Sequence, residues 1–326
     1  MLIPDAQISQ YGIFSLFKYK LNKFNFLSGI RYDLKNITTE EVHHEGETEE
    51  EHAEHGEIEP VDLSFGSVNG SFGITYQLDT AWLIRTNIAT GFRAPNLAEL
   101  TSNGVHHGAL RYELGNPNLK TENNVELDLG VVLTSEHVSW AVSGFYNYIN
   151  NFIYLAPQDS FVDGSQLFEY TQDDANLYGF ETTIDIHPHA MHWLHFETQY
   201  AMVVGEKADG SYLPRIPGNN LLNTLKAELN DFKFVKSPFV SFGVNTIFAQ
   251  NNIDAFETPT LTYVLLNASI GAELMLGKQP LEFTLGVTNL LDRQYFNHLS
   301  RLKPDGIYNM GRNMVVSIRL PFNLIK

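Results

Sequence analysis

The run Asn124-Val125-Glu126-Leu127-Asp128-Leu129-Gly130-Val131-Val132-Leu133 alternates apolar and polar side chains. Successive side chains of an extended chain point to opposite faces. Val125, Leu127, Leu129, Val131 and Leu133 therefore share one face, and Asn124, Glu126, Asp128 and Gly130 share the other. The period of two identifies a strand rather than a helix. The pattern recurs outward from this point. In 281–288, Leu281, Phe283, Leu285 and Val287 oppose Glu282, Thr284, Gly286 and Thr288. In 178–186, Tyr178, Phe180, Ile184 and Ile186 oppose Gly179, Glu181, Thr183 and Asp185. Near the end, Met314, Val316, Ile318, Leu320 and Phe322 oppose Val315, Ser317 and Arg319.

About thirteen such segments follow one another, with cores near 6–20, 24–37, 63–78, 82–92, 122–133, 138–154, 175–187, 192–204, 221–230, 237–250, 261–276, 281–294 and 309–322. Most are longer than the roughly 5–6 residues of an ordinary strand and match the roughly 9–11 that a tilted strand needs to cross a bilayer. Alternation alone does not say whether the apolar face meets lipid or a second sheet. The connections separate the two. Short ones near 21–23, 79–81, 135–137, 188–191, 231–236 and 277–280 alternate with long ones near 38–62, 93–121, 155–174, 205–220, 251–260 and 295–308. Tight turns at one rim and long loops at the other belong to outer-membrane barrels, with the short turns in the periplasm. A soluble β-sandwich has no reason to sort its loops this way.

The expected fold is therefore all-β: an antiparallel transmembrane β-barrel in a bacterial outer membrane, its apolar faces against lipid. Unpaired backbone groups cost several kcal/mol each in hydrocarbon, so a spanning sheet must be paired throughout. Glu126, Asp128, Glu181, Asp185, Glu228, Glu273 and Glu282 are then expected to face the lumen. Tyr146, Tyr148, Phe152 and Tyr154 fall near strand ends, where aromatic girdles sit.

Composition bounds the function. The chain has 326 residues, no cysteine and a formal net charge of −17. Disulfides and thiolate metal sites are excluded, and the acidic balance argues against nucleic acid as a partner. No apolar run is long enough for a transmembrane helix. Ser and His occur, but no Gly-x-Ser-x-Gly motif marks a nucleophile, so no catalytic residue is assigned and no catalytic cofactor is expected. A passive porin or an outer-membrane hydrolase are the competing classes.

Three stretches carry a resemblance. They are Ala89-Thr90-Gly91-Phe92-Arg93-Ala94-Pro95-Asn96-Leu97-Ala98-Glu99-Leu100, then Gly115-Asn116-Pro117-Asn118-Leu119-Lys120-Thr121-Glu122, and finally Thr288-Asn289-Leu290-Leu291-Asp292-Arg293-Gln294-Tyr295 with Gly311-Arg312-Asn313. Their order and spacing resemble the barrel of TonB-dependent outer-membrane receptors over essentially the whole of 1–326. The resemblance implies a 22-stranded barrel filled by an N-terminal plug, and a TonB complex that supplies energy through that plug. Thirteen strands would be the last thirteen. An odd count, a first segment running downward from the extracellular side and no signal peptide lead to the expectation that the plug and about nine strands lie outside this sequence. The family often has Pro where Thr121 stands, and usually ends at the terminal aromatic, whereas here four residues follow Phe322.

Cargo is read from the long loops. The segment 38–62 is a His/Glu-rich extracellular loop: between positions 40 and 59 it holds ten Glu and no Lys or Arg, with His43, His44, His52 and His55. Imidazole and carboxylate suit Zn²⁺, and imidazole also suits Ni²⁺ and Cu²⁺. The alternative is a solvated acidic loop. The next long loop adds His106 and His107, in a segment that resembles receptors of the zinc-uptake branch. His298 lies in the last long loop, where a hydrogen-bonding role is expected. A second group, His187, His189, His192 and His195, brackets a periplasmic turn, and His137 sits in another. The expected cargo is a transition metal ion such as zinc or a small metal chelate. A siderophore, haem or cobalamin is the alternative, left open by Phe161, Phe168, Tyr170, Tyr212 and Arg215.

Overall fold

The computed structural model describes residues 3–39, 60–106, 111–162, 164–255, 257–277 and 279–321. Thirteen strands hydrogen-bond in one continuous antiparallel path: β1 (Ala6–Leu21), β2 (Phe24–Thr39), β3 (Asp62–Gln77), β4 (Trp82–Arg93), β7 (Glu122–Thr134), β8 (Val138–Val162), β9 (Ser165–Ile186), β10 (Leu194–Lys207), β11 (Asn220–Glu228), β12 (Val235–Ile247), β13 (Tyr263–Leu276), β14 (Gln279–Thr288) and β15 (Asn313–Arg319). Each strand pairs with the next, as in a meander. The sheet is open, with β1 and β15 as its edges. Two short strands, β5 (Asn103–His106) and β6 (Arg111–Leu114), form a hairpin off this path, and α1 (Leu97–Thr101) precedes them.

Register explains the alternation. Through successive partners, Glu126, Asp128, Glu181, Asp185, Glu228, Glu273 and Glu282 all fall on one face of the sheet. Leu127, Leu129, Ile88, Phe180 and Phe196 fall on the other and are exposed. Buried hydrophobic residues are few, and five of them, Ile37, Val61, Leu100, Leu119 and Ile153, form one cluster at the long-loop end. Along the strands, among the described residues, no second layer packs over the apolar face, which is the state expected where lipid covers it. Aromatic rings collect on that face beside the short turns: Phe24 stacks on Tyr76 at 4.5 Å and Trp82 meets Trp140 edge-on at 6.3 Å. Amphipathic rings of this kind favour the membrane–water interface.

The short turns are tight because their residues allow it. Leu21 pairs directly with Phe24, and Asn22 takes φ 51°, the left-handed conformation that a two-residue hairpin requires. The long-loop end departs from the sequence expectation most in one segment. The segment 155–174 is not a loop: β8 runs 25 residues and β9 runs 22, and their ladder continues to Val162 and Ser165. Both are far longer than a bilayer crossing needs, so this hairpin projects beyond it. Alternation failed to show the extension because the register shifts between Ile149 and Phe152, where one extra residue moves the apolar set of β8 to the opposite face, and again between Pro157 and Phe161, where two extra residues interrupt the ladder. Segment 281–294 is also shorter than expected, with β14 ending at Thr288 where Asn289 turns to φ 49°. The last strand is described to Arg319, and Phe322 lies outside the described residues.

Candidate functional site

The long-loop end is a folded cap built from the first two sequence tags. At the end of β4, the Arg93 guanidinium donates to Glu99 at 2.8 Å and to both oxygens of Glu122 at 2.6 and 2.7 Å. Glu122 also accepts from the backbone N–H of Ile153 at 2.6 Å. A planar fork suits two carboxylates better than an ammonium does. Glu99 and Asn96 form a reciprocal capping box that starts α1. Gly115, from the second tag, lies against the end of α1 so closely that a Cβ there would sit 2.6 Å from the amides of Thr101 and Ser102. β6 then runs parallel to β9 from Arg111/Gln166 to Leu114/Glu169, tying the 93–121 segment to the projecting hairpin.

The third tag interlocks in the same way on the far side. Asn289 is buried; its side chain accepts from Arg293 N–H and donates to Arg293 C=O, both at 2.9 Å. Asp292 accepts from the Arg312 amide at 2.7 Å, and Gly311 leaves room for that carboxylate. The tags therefore hold loops in place.

Between these supports the mouth carries charge. Lys207 pairs with Asp254 at 2.9 Å, both nearly buried. His298 is buried; Nδ1 bonds the Thr260 hydroxyl at 2.8 Å, and Nε2 lies 3.7 Å from Glu257 Oε1. Lys303 donates to Thr260 at 2.8 Å. Burial raises the Glu257 carboxyl, but the His298 ring and the backbone amides of Arg215 and Asp254 outweigh it and hold the group below its ordinary value. Arg111 lies over the Phe168 ring at 5.2 Å and pairs with Glu113, which Tyr170 also approaches. Arg215 stands nearby with φ 62°. Partial desolvation, and then the like charges of Arg111 and Arg301, lower its pKa. Among the described residues, neither Arg215 nor Arg301 has an ion-pair partner within 4.0 Å. Sequence reading singled out Arg215 but not Arg111 or Arg301; only the fold brings three separate loops to one place.

Beneath this mouth, a cavity of about 700 Å³ is lined by Glu126, Asp128, Glu181, Met202, Tyr263 and His298 among others. Its acids have local partners. Asn87 donates to Asp128 at 3.2 Å and Ser143 to Glu181 at 3.2 Å. Lower on the same face, Lys226 pairs with Glu228 and Arg319 with Glu282.

Of the expected metal residues, His43, His44, His52, His55 and His107 lie outside the described residues. The feet of the acidic loop are fixed: Thr39 and Val61 exchange bonds of 2.9 and 2.8 Å, and Val61 packs in the cluster with Leu100 and Leu119. His106 ends β5 opposite Arg111, with Nδ1 shielded and unpartnered among the described residues. His137, His187, His189, His192 and His195 meet at the other rim, among the short turns.

Residues 2–290 match the family model "TonB dependent receptor-like, beta-barrel". The vitamin B12 transporter BtuB of Photobacterium profundum is 29% identical over 123 residues, 35% of this chain and 19% of the relative. The iron-regulated outer membrane virulence protein of Vibrio cholerae serotype O1 is 28% identical over 122 residues, 34% of this chain and 18% of the relative. In structure, the copper transporter OprC superposes with TM-score 0.78 at 16% identity, covering 96% of this chain and 48% of that one. The ferric yersiniabactin uptake receptor FyuA from Yersinia pestis gives 0.66 at 15%, covering 98% and 46%. The chain thus spans about half the length of these structures and under a fifth of the curated relatives. With thirteen long strands in one sheet, apolar outside and polar inside, and a family match over most of its length, this chain belongs to the TonB-dependent receptors and forms β-barrel wall in the bacterial outer membrane.

Proposed function

We propose that this barrel wall belongs to an active-transport receptor for a scarce metal, captured at the extracellular mouth as a small anionic metal complex and carried inward with TonB-supplied energy through a plug domain. The observation that carries the reading is the group of Arg111, Arg215 and Arg301, drawn from three loops: burial first, and then the like charges of Arg111 and Arg301, lower the Arg215 pKa against the opposing effect of Glu257 and Glu113. Arg111 is paired with Glu113, so Arg215 and Arg301 supply the uncompensated guanidinium groups, which suit the carboxylate, catecholate or phosphate oxygens of a chelate better than a free cation. Phe168 and Tyr170 beside Arg111 supply apolar surface for the ligand body. The lumen acids with local partners are less suited to passing a cation than to holding the basic side chains of a plug.

A second reading has its own observation: the density of His and Glu between positions 40 and 59, whose feet stand beside the same cap. It takes free Zn²⁺, or another transition metal ion, through His43, His44, His52, His55, His106 and His107.

Calorimetric titration of the full-length protein with a ferric hydroxycarboxylate complex and with Zn²⁺ separates the two. The first reading expects tight chelate binding that weakens at least about tenfold when Arg215 and Arg301 both become Ala, since a charge-assisted bond contributes about 1.5–3 kcal/mol. Tight Zn²⁺ binding abolished by Ala at His43, His44, His52 and His55, with no effect of the arginine pair, would replace it with the second.

A further inference from the structure

The short-turn rim holds a constellation that the cargo reading does not use. His137 sits in the turn between β7 and β8, and His187, His189 and His192 sit between β9 and β10, with His195 just inside β10. Register places His187 and His195 on the same polar face as Asp185, and the His187 amide donates to the His137 carbonyl at 3.0 Å. Two sets of donor atoms converge. In one, atoms of Asp185, His187 and His195 all lie within 4.8 Å of one another; in the other, atoms of Glu136, His137 and His189 do. The rings of His137 and His187 are 6.0 Å apart, so the sets adjoin.

Chemistry distinguishes the first set from a surface cluster of histidines. His187 Nε2 faces the Glu136 carbonyl oxygen. A carbonyl only accepts, so Nε2 carries the proton, and in the neutral ring Nδ1 is the nitrogen with a free lone pair. That Nδ1 is shielded from solvent and has no hydrogen-bond partner among the described residues, and the same holds for Asp185 Oδ1. A metal-binding imidazole characteristically donates its other N–H to a carbonyl or carboxylate, which fixes the tautomer. In the second set, His137 Nε2 and His189 Nδ1 are 3.1 Å apart and share a hydrogen bond. Two nitrogens on one tetrahedral zinc stand about 3.3 Å apart, from Zn–N bonds of about 2.0–2.1 Å.

We propose that Asp185, His187 and His195 form a binding site for a first-row divalent transition metal ion of the Zn²⁺, Cu²⁺ or Ni²⁺ class on the periplasmic rim, with Glu136, His137 and His189 as an adjoining second position. Neutral imidazole and carboxylate donors select this class over Ca²⁺ and Mg²⁺. Lys226 lies opposite His195 in register, but its ammonium is held by Glu228 at 2.7 Å, so it does not cancel the site's charge. Three protein donors leave a coordination position open, which allows exchange. Occupancy does not depend on the cargo reading; only use of the site as a release point for imported metal rests on it.

The test is Zn²⁺ and Co²⁺ titration of metal-stripped full-length protein in detergent, followed by calorimetry and by the visible bands of Co²⁺. Four proteins are compared: unaltered, His187→Ala/His195→Ala, Asp185→Asn, and the fourfold Ala variant at His43, His44, His52 and His55. The expected result is a Zn²⁺ equivalent that survives in the fourfold variant and is lost in the rim variant, whatever the second position binds, with Asp185→Asn weakening it at least about tenfold. Retained β-sheet circular dichroism and unchanged chelate binding show that the rim variant is folded. Equal stoichiometry and affinity in the rim variant and the unaltered protein would overturn the site. So would binding that disappears altogether in the fourfold variant. Failure of chelate binding with the rim equivalent intact would strike the cargo reading alone.

Discussion

Arg93 holds two carboxylates at once, and among the described residues no other cation lies within 4.0 Å of them, although Lys35 interacts with Glu99 at longer range. The side chains of Glu99 and Glu122 are about one-tenth exposed, so removing the guanidinium strands two nearly buried charges. Arg93→Ala is expected to cost about 2–3 kcal/mol, below the range for a fully buried pair because Arg93 itself is 41% exposed. Urea unfolding from lipid vesicles measures it, and a loss under about 0.5 kcal/mol would contradict the role. Gly115→Ala acts by contact instead. Its methyl group would meet backbone amides at 2.6 Å, and overpacking of this kind costs about 1–3 kcal/mol; the expected signature is faster amide exchange in α1. Glu257 gives a pH dependence. Its carboxyl is held below the ordinary value of 4.5, so its contribution is fully present above that pH and is lost as pH falls through the lower, folded value. Exchange protection of 251–260, corrected for intrinsic rates, should fall over that acidic window and should not in Glu257→Gln.

The β8–β9 hairpin is the element that shapes the mouth. Its extension carries Phe168 and Tyr170 to the Arg111 site and offers β9 as the edge to which β6 adds. Deleting 158–167 would remove part of that edge and leave the crossing portion of both strands, whose ladder from Val138/Ile186 to Ile149/Ala175 is independent of it. The shortened protein is expected to insert into outer membranes with normal heat-modifiable migration but to bind the chelate at least about tenfold more weakly, from lost apolar and charge-assisted contacts. Failure to insert would mean that the tip directs assembly.

Across the molecule, the burial pattern is inverted relative to a water-soluble protein: large side chains are exposed in rows, and charged residues share the opposite face. Lipid takes the place of a core. Leu129→Arg on the apolar face is expected to cost about 2–4 kcal/mol in a bilayer, the range for a cation near the midplane. Asp128→Asn, across the sheet, keeps a hydrogen-bonding partner for Asn87 and should change stability by less than about 1 kcal/mol. Comparable losses for the two in vesicle unfolding would show that the faces are misassigned.

Strand number and direction, and the sorting of turns from loops, were legible in the sequence because a sheet with two different solvents on its faces must alternate at every residue. The loops carry no such constraint. His187 and His195 could be read as flanking a turn, but that His137 stands beside them follows from the pairing of β8 with β9. The extension of β8 and β9 was hidden by two irregularities in β8: one inserted residue after Ile149 reverses the pattern on which the reading depends, and two more after Pro157 interrupt it. Arg111, Arg215 and Arg301 are far apart in the chain, and nothing local marks them as a group. The sequence by itself determined which faces meet lipid and which meet water, a property of each strand alone. Tertiary structure decided which charges converge at each rim, because that depends on the register between strands and on how loops pack over their ends.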